Sequence, residues 1–224
     1  MEFKLFNEGY RDNIVLIPGW AFDYTIFHNI KLNSNYIMPI QLSINNFNID
    51  LIDFLRKNNI NKISIFGWSM GIFIALDFIS KYPEKVDKII FVSAKEKYEK
   101  ENIEKIKDYL RKNKDAYLYK FYSECFSKKE KEQMYWFKNN IMKYYFNKMD
   151  LSFLFEGLDY LVNAEMEFKI LKELDVKFIH GKEDKIVPIG ELIKIKSNLP
   201  EAEYILIDNA GHIPFLNREN ILST

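Results

Sequence analysis

The sequence predicts an α/β fold, a mostly parallel central sheet flanked by helices and interrupted by an all-helical insertion. Three observations carry that prediction. Short apolar runs at residues 14–17, 63–66, 89–92, 176–179 and 204–207, broken only at Ser64 and Lys177, recur between helical stretches, as strands buried on both faces require. One of these runs enters Gly67-Trp68-Ser69-Met70-Gly71, and an apolar helical stretch leaves it. Residues 95–164 keep a helical period without a proline and with Gly157 as their only glycine. Strands alternating with helices imply parallel pairing with both sheet faces covered. The expected division is a core of residues 1–94 and 165–224 and a helical cap of residues 95–164.

Residues 2–6 and 13–17 read as two strands about a turn at Asn7-Glu8-Gly9-Tyr10, and Pro18-Gly19-Trp20 stops the second. Residues 21–30 form a loop with a helical turn, 36–40 a further strand, and 48–58 a helix with Leu51, Phe54 and Leu55 as its apolar stripe. Strand 63–66 is followed by helix 70–81, whose Ile74, Leu76, Phe78 and Ile79 make it apolar on most sides, as a central helix should be. In the insertion, helical spacing relates Ile103, Ile106 and Leu110, then Leu118, Phe121 and Tyr122, then Phe137, Ile141 and Tyr145. A strand at 176–181, a helix at 189–199, a strand at 204–207 and a final helix from Pro214 complete the chain.

Lys+Arg and Asp+Glu are both 32 in 224 residues, so no global charge points to nucleic acid or a membrane surface. Cys125 is the single cysteine, which excludes an internal disulfide and a multi-cysteine zinc site. The strand-like, charged start lacks a leader pattern, and no apolar run approaches the ~20 residues of a membrane span. A soluble, cytoplasmic monomer is expected.

The Gly-x-Ser-x-Gly turn between a strand and a helix is a nucleophile elbow. Glycines on either side let strand and helix approach closely, and the helix N-terminus behind Ser69 favours negative charge. A serine hydroxyl needs a base, and the chain has three histidines: His28, His180 and His212. His212 follows the last strand, at the carboxyl end where open parallel sheets place their sites. The base needs an acid, and Asp184 follows the preceding strand in Gly181-Lys182-Glu183-Asp184-Lys185-Ile186-Val187-Pro188. Glu183 and Asp208 are the acidic competitors, and His180 and His28 the competing bases. An oxyanion also requires donors. The N–H of Met70 is one and that of Trp20 the other, with Gly19 giving the backbone freedom to aim it. The histidines are scattered and no phosphate loop occurs, so neither metal nor cofactor is expected.

Ile17-Pro18-Gly19-Trp20, the elbow, the Asp184 loop and Ala210-Gly211-His212-Ile213-Pro214-Phe215 together resemble the α/β-hydrolases, whose triad runs in the order Ser, Asp, His. More narrowly, a tryptophan in the oxyanion loop, another before the nucleophile, and Gly-His-x-Pro-Phe are similar to the biotin-pathway esterases that cleave the methyl ester of pimeloyl-acyl carrier protein. Gly157-Leu158-Asp159-Tyr160-Leu161 fits the end of that family's cap. Pro18 replaces the family's histidine, Ile72 stands where a second glycine is usual, and Met38-Pro39-Ile40-Gln41-Leu42-Ser43 replaces a longer glycine-containing loop.

The resemblance implies an acyl-enzyme mechanism on an ester substrate. Trp20, Phe121 and Phe137 are the candidates to line the acyl chain, and Phe126, Trp136, Tyr144 and Phe146 are further candidates for apolar walls, the alternative for each cap aromatic being that it packs the cap's own core. Lys112, Lys114, Lys120, Lys128, Lys129, Lys131, Lys138 and Lys143 are candidates to receive an acidic carrier protein, the alternative being a solvated face with interleaved glutamates. Two other readings stay open: a carbon–carbon lyase or hydrolase on the same triad, as in a menaquinone-pathway enzyme, and a ligand-binding member of the fold.

Overall fold

The apolar runs at the start of the chain and before Ser69 lie side by side near the centre of a seven-stranded sheet of order β1-β3-β2-β4-β5-β6-β7. The computed structural model describes residues 1–216. Its strands are β1 (Phe3–Phe6), β2 (Asn13–Ile17), β3 (Asn35–Pro39), β4 (Ile63–Trp68), β5 (Val86–Val92), β6 (Asp175–Gly181) and β7 (Glu203–Ile207). Its α-helices are α1 (Phe47–Lys57), α2 (Met70–Lys81), α3 (Lys100–Lys112), α4 (Lys114–Glu124), α5 (Lys131–Phe137), α6 (Lys143–Lys148), α7 (Leu151–Asn163), α8 (Phe168–Leu171) and α9 (Ile189–Asn198). Among the described residues the edge pair β1–β3 is antiparallel and the other five strand pairings are parallel.

Val15, Leu16, Ile17, Ile65 and Phe66 have no exposed surface, which is why their segments carry apolar residues without alternation. Helix α2 is buried from Met70 to Leu76 because it lies under other elements rather than at the surface. Its start crosses the end of β2 so closely that a methyl group on Gly71 would run into the carbonyl oxygens of Ile17 and Pro18. The predicted helix at residues 70–81 and strand at 13–17 match their observed bounds, while β5 starts earlier than predicted, at Val86.

Helices α3 to α7 are inserted between β5 and β6. The neck of the insertion is not helical: Lys97 and Glu165 form an antiparallel bridge, and Met166 N–H donates to the Glu96 carbonyl at 2.9 Å. Two further departures from a continuous helical pattern are a turn over residues 125–130 and a π-helical turn, Lys138–Met142, joining α5 to α6. The core and the insertion share one apolar cluster. Phe22 is at its centre, with ring centroids 4.7 Å from Trp68, 5.1 Å from Tyr122 and 5.3 Å from Tyr145. Pro214, Phe215 and Leu216 form a turn, and the remainder of the final helix predicted from Pro214 lies outside the described residues. No helix among the described residues is long and apolar enough to cross a membrane.

Candidate active site

Ser69 joins β4 to α2 with φ 55° and ψ −118°, a left-handed conformation that a serine adopts only when its surroundings impose it. Gly67 and Gly71 provide that setting: a Cβ on Gly67 would lie 3.1 Å from the Gly71 carbonyl oxygen and the Ile72 Cα. The Ser69 N–H donates to the Val92 carbonyl at 2.9 Å, which ties the turn to the neighbouring strand.

The Asp184 loop and the His212 loop leave β6 and β7 and meet at the serine. His212 Nε2 is 3.1 Å from Ser69 Oγ, and His212 Nδ1 is 2.8 Å from Asp184 Oδ2. The other carboxylate oxygen of Asp184 accepts the N–H groups of Ile186 and Val187, each at 2.9 Å. Those bonds are the reason for the spacing of the loop: they fold it around the carboxylate and leave Oδ2 for the histidine. Burial pushes the Asp184 carboxyl up, but His212, His180 and the Val187 N–H together outweigh it and hold the group below the usual carboxylate range. An ionised Asp184 accepts the hydrogen bond from Nδ1–H and so keeps the ring proton on Nδ1, which leaves Nε2 free to accept the serine proton.

His212 is fixed from both sides. Its carbonyl oxygen accepts Trp68 Nε1–H at 2.8 Å and the Ser93 hydroxyl at 3.0 Å, and its N–H donates to the Cys125 carbonyl at 2.7 Å. Trp68 therefore has a positioning task beyond its value as a family marker, and Ser93, itself at φ 55°, shares that task without any motif announcing it.

The Pro18-Gly19-Trp20 loop runs beside the nucleophile, since a Cβ on Gly19 would lie 3.2 Å from Ser69 Cβ. This corrects the reason given for Gly19. Its backbone is not in the left-handed region, whereas Ala21 is, at φ 62°; at Gly19 the space is tight, with Ser69 Cβ and the Trp68 ring 3.2 and 3.3 Å from where a Cβ would lie. Trp20 Nε1–H donates to the Leu154 carbonyl of α7 at 2.9 Å, and its ring packs edge-on against Phe121 at 5.0 Å. Trp20 and Met70 border a narrow slot with Leu42, Ile44, Phe153 and Gly157.

The other candidates separate clearly. Phe137 is fully buried against Tyr122, Phe126 and Tyr145, so it packs the insertion rather than facing a substrate. Tyr144 directs its hydroxyl to Asp23 at 2.7 Å. Trp136 and the exposed His28 border a crevice of about 770 Å³ that includes no triad residue. Asp208 pairs with Lys182 at 2.6 Å on the surface, and Glu183 faces Lys129 at 3.9 Å.

Tyr98 is the neighbour that sequence reasoning missed. It lies in the neck, its ring is 6.1 Å from Phe73, and its phenol is close enough to Ser69 and Asp184 to be influenced by both. Burial, only partly offset by Ser69, pushes its phenol up to about 12, so it stays neutral beside the nucleophile. A lone tyrosine in a charged stretch gave no signal of this.

His180 lies behind Asp184, with Nε2 2.9 Å from the Val187 carbonyl and 3.8 Å from Asp184 Oδ2. Burial holds it below the ordinary histidine value of 6.5. A histidine kept neutral in the fold protonates more readily once unfolded, so its contribution to stability is complete above about pH 6.5 and is lost below it. The urea midpoint is expected to fall between pH 7 and pH 5, with one such proton limiting the slope to about 1.4 kcal/mol per pH unit. His180→Gln should flatten that dependence, and an unchanged slope would exclude His180 as its source.

The family model described as Serine aminopeptidase, S33 (Hydrolase_4) matches residues 40–219 of this chain. A pimeloyl-[acyl-carrier protein] methyl ester esterase of Wigglesworthia glossinidia brevipalpis is 26% identical, covering 92% of this chain and 88% of that protein. The protein of the same name from Legionella pneumophila (strain Paris) is 25% identical, covering 100% and 97%. Among solved structures, an esterase (EaEST) from Exiguobacterium antarcticum shares the fold with a TM-score of 0.76 at 16% identity, covering 94% of this chain and 87% of that one.

Proposed function

Because the chain belongs to the serine aminopeptidase S33 family of α/β-hydrolases, we propose that it cleaves the methyl ester of a pimeloyl group carried on acyl carrier protein, a step of biotin synthesis, with Ser69, His212 and Asp184 as its triad. The observation that carries the chemistry is the chain of contacts at 2.8 and 3.1 Å from Asp184 through His212 to Ser69. The names of the two full-length relatives support the substrate.

In this reading Ser69 Oγ attacks the ester carbonyl while His212 Nε2 takes its proton. The oxyanion forms against the N–H groups of Met70 and Trp20, next to the start of α2, where partial positive charge is already in place. His212 then gives its proton to the departing methoxide, methanol leaves, and a water deprotonated by His212 hydrolyses the acyl-enzyme. Residues 95–164 act as the cap over the acyl chain, with Trp20 and Phe121, in contact at 5.0 Å, as its nearest apolar walls. In that cap Lys114 donates to the Phe146 and Met149 carbonyls, and Lys129 donates to Asn209 Oδ1. The exposed Lys112, Lys128, Lys131 and Lys143 are the better candidates to meet an acidic carrier.

Methanol release from pimeloyl-acyl carrier protein methyl ester is the deciding measurement, run beside hydrolysis of short p-nitrophenyl esters. Both activities are expected. Hydrolysis of the short esters without methanol release removes the substrate but keeps the ester hydrolase; inactivity of the folded protein on both removes the ester chemistry as well.

A further inference from the structure

The turn over residues 125–130 does more than link α4 to α5. Ser127 and Glu130 have the S-x-x-E spacing of a capping box, and Glu130 Oε2 accepts the Ser127 N–H at 2.8 Å, but α5 begins only after Glu130, so the pair closes the turn. Closing the turn explains neither of two further facts. Glu130 is only 2% exposed, and the same Oε2 accepts the N–H of Gly211 at 2.7 Å. Gly211 immediately precedes His212.

The contacts around that bond all join the same two segments. Ser127 Oγ donates to the Asn209 carbonyl at 2.7 Å, Lys129 Nζ donates to Asn209 Oδ1 at 2.6 Å, and the His212 N–H donates to the Cys125 carbonyl at 2.7 Å. Gly211 lies so close that a methyl group there would collide with the Cys125 carbonyl oxygen. The turn in the insertion thus holds the backbone of the histidine loop over Asn209 to His212, while Trp68 and Ser93 hold the His212 carbonyl from the core.

We propose that Glu130 is a positioning residue for His212: by holding the Gly211 N–H it sets the height of the imidazole over Ser69, and it makes triad assembly depend on the seating of this part of the insertion. The proposal deepens the serine hydrolase reading and rests on its triad. It requires nothing of the pimeloyl substrate. A displacement of the imidazole by about 1 Å is enough to cost on the order of 10²-fold in rate.

The test compares Glu130→Ala and Glu130→Gln with the wild type. Steady-state kinetics on p-nitrophenyl butyrate are paired with the rate of Ser69 inactivation by diisopropyl fluorophosphate, a small reagent that reads the Ser69–His212 pair directly. Glu130→Ala is expected to lose about 10²-fold in kcat and in inactivation rate, with KM changed less than about threefold. Glu130→Gln keeps an acceptor oxygen for both N–H groups and is expected to recover to within about fivefold of the wild type.

A folded Glu130→Ala protein with wild-type kcat and inactivation rate, a loss confined to KM, or a glutamine variant as poor as the alanine would overturn the assignment. If Glu130→Ala does not fold, Glu130→Asp decides, because it keeps the charge and withdraws the oxygen by one methylene. A kcat about tenfold lower at unchanged KM supports the role, and wild-type kcat overturns it. If the wild type hydrolyses no ester, the failure belongs to the ester reading, and the inactivation rates of the same variants still decide the role of Glu130.

Discussion

Replacing Ser69 with alanine is expected to lower kcat on a p-nitrophenyl ester by on the order of 10⁶-fold while leaving the fold intact. The reasoning starts from the backbone. The turn holds φ 55° through the close packing of Gly67 and Gly71 and through the Ser69 N–H bond to Val92, and none of these uses the hydroxyl. Nor does the hydroxyl cap α2. Its removal frees His212 Nε2 but disturbs no backbone hydrogen bond, so the melting temperature should stay within a few degrees of the wild type. What remains is the hydrolysis that oxyanion donors and substrate binding alone can support, typically about 10³–10⁴ over water. Loss of acyl-enzyme labelling together with loss of turnover is the expected pattern. A Ser69→Ala protein within tenfold of wild-type kcat would mean that another group is the nucleophile.

How much of this was legible in the sequence depended on the range of the interactions involved. The strands read at 13–17 and 63–66 were legible because a strand buried on both faces is apolar at nearly every position, Asn13 and Ser64 being the half-buried exceptions; the second runs on through Gly67 to Trp68. Ser69, Asp184 and His212 were readable because each sits in a local turn whose glycine or proline spacing has its own backbone reason, such as the Asp184 carboxylate gathering the N–H groups of Ile186 and Val187. The groups that hold His212 were not readable. Trp68 reaches it across 144 residues and Ser93 across 119, and Glu130 meets Gly211 across 81. No periodicity records such a meeting. No motif was read at Ser127 and Glu130, and only folding shows that the carboxylate accepts the Gly211 N–H as well as that of Ser127. Phe137 illustrates the opposite limit. Helical spacing identifies it as inward-facing, yet the same pattern serves a packed interior and a substrate wall, and here Tyr122, Phe126 and Tyr145 fill the space around it.

Asp184→Asn is expected to lower kcat by about 10⁴-fold with little change in KM, through the wrong tautomer of His212 rather than through lost structure. The carboxamide has one oxygen and one NH₂ group where the carboxylate had two acceptors. The N–H groups of Ile186 and Val187, both 2.9 Å from Oδ1, demand the oxygen, so the NH₂ must take the place of Oδ2, 2.8 Å from His212 Nδ1. Two donors cannot face each other there. Nδ1 has to become the acceptor, the ring proton moves to Nε2, and Nε2 then points an N–H at Ser69 Oγ across 3.1 Å. A base that already carries its proton cannot take another from the serine without becoming an imidazolium, and no carboxylate remains at Nδ1 to stabilise that charge. Because Trp68, Ser93 and Cys125 hold the His212 backbone independently of Asp184, the ring should stay in place. Nitrogen-15 spectra of the imidazole should therefore show the proton on Nε2 in the variant and on Nδ1 in the wild type. Wild-type kcat, or an unchanged tautomer accompanying a full loss of activity, would contradict this account of how Asp184 acts.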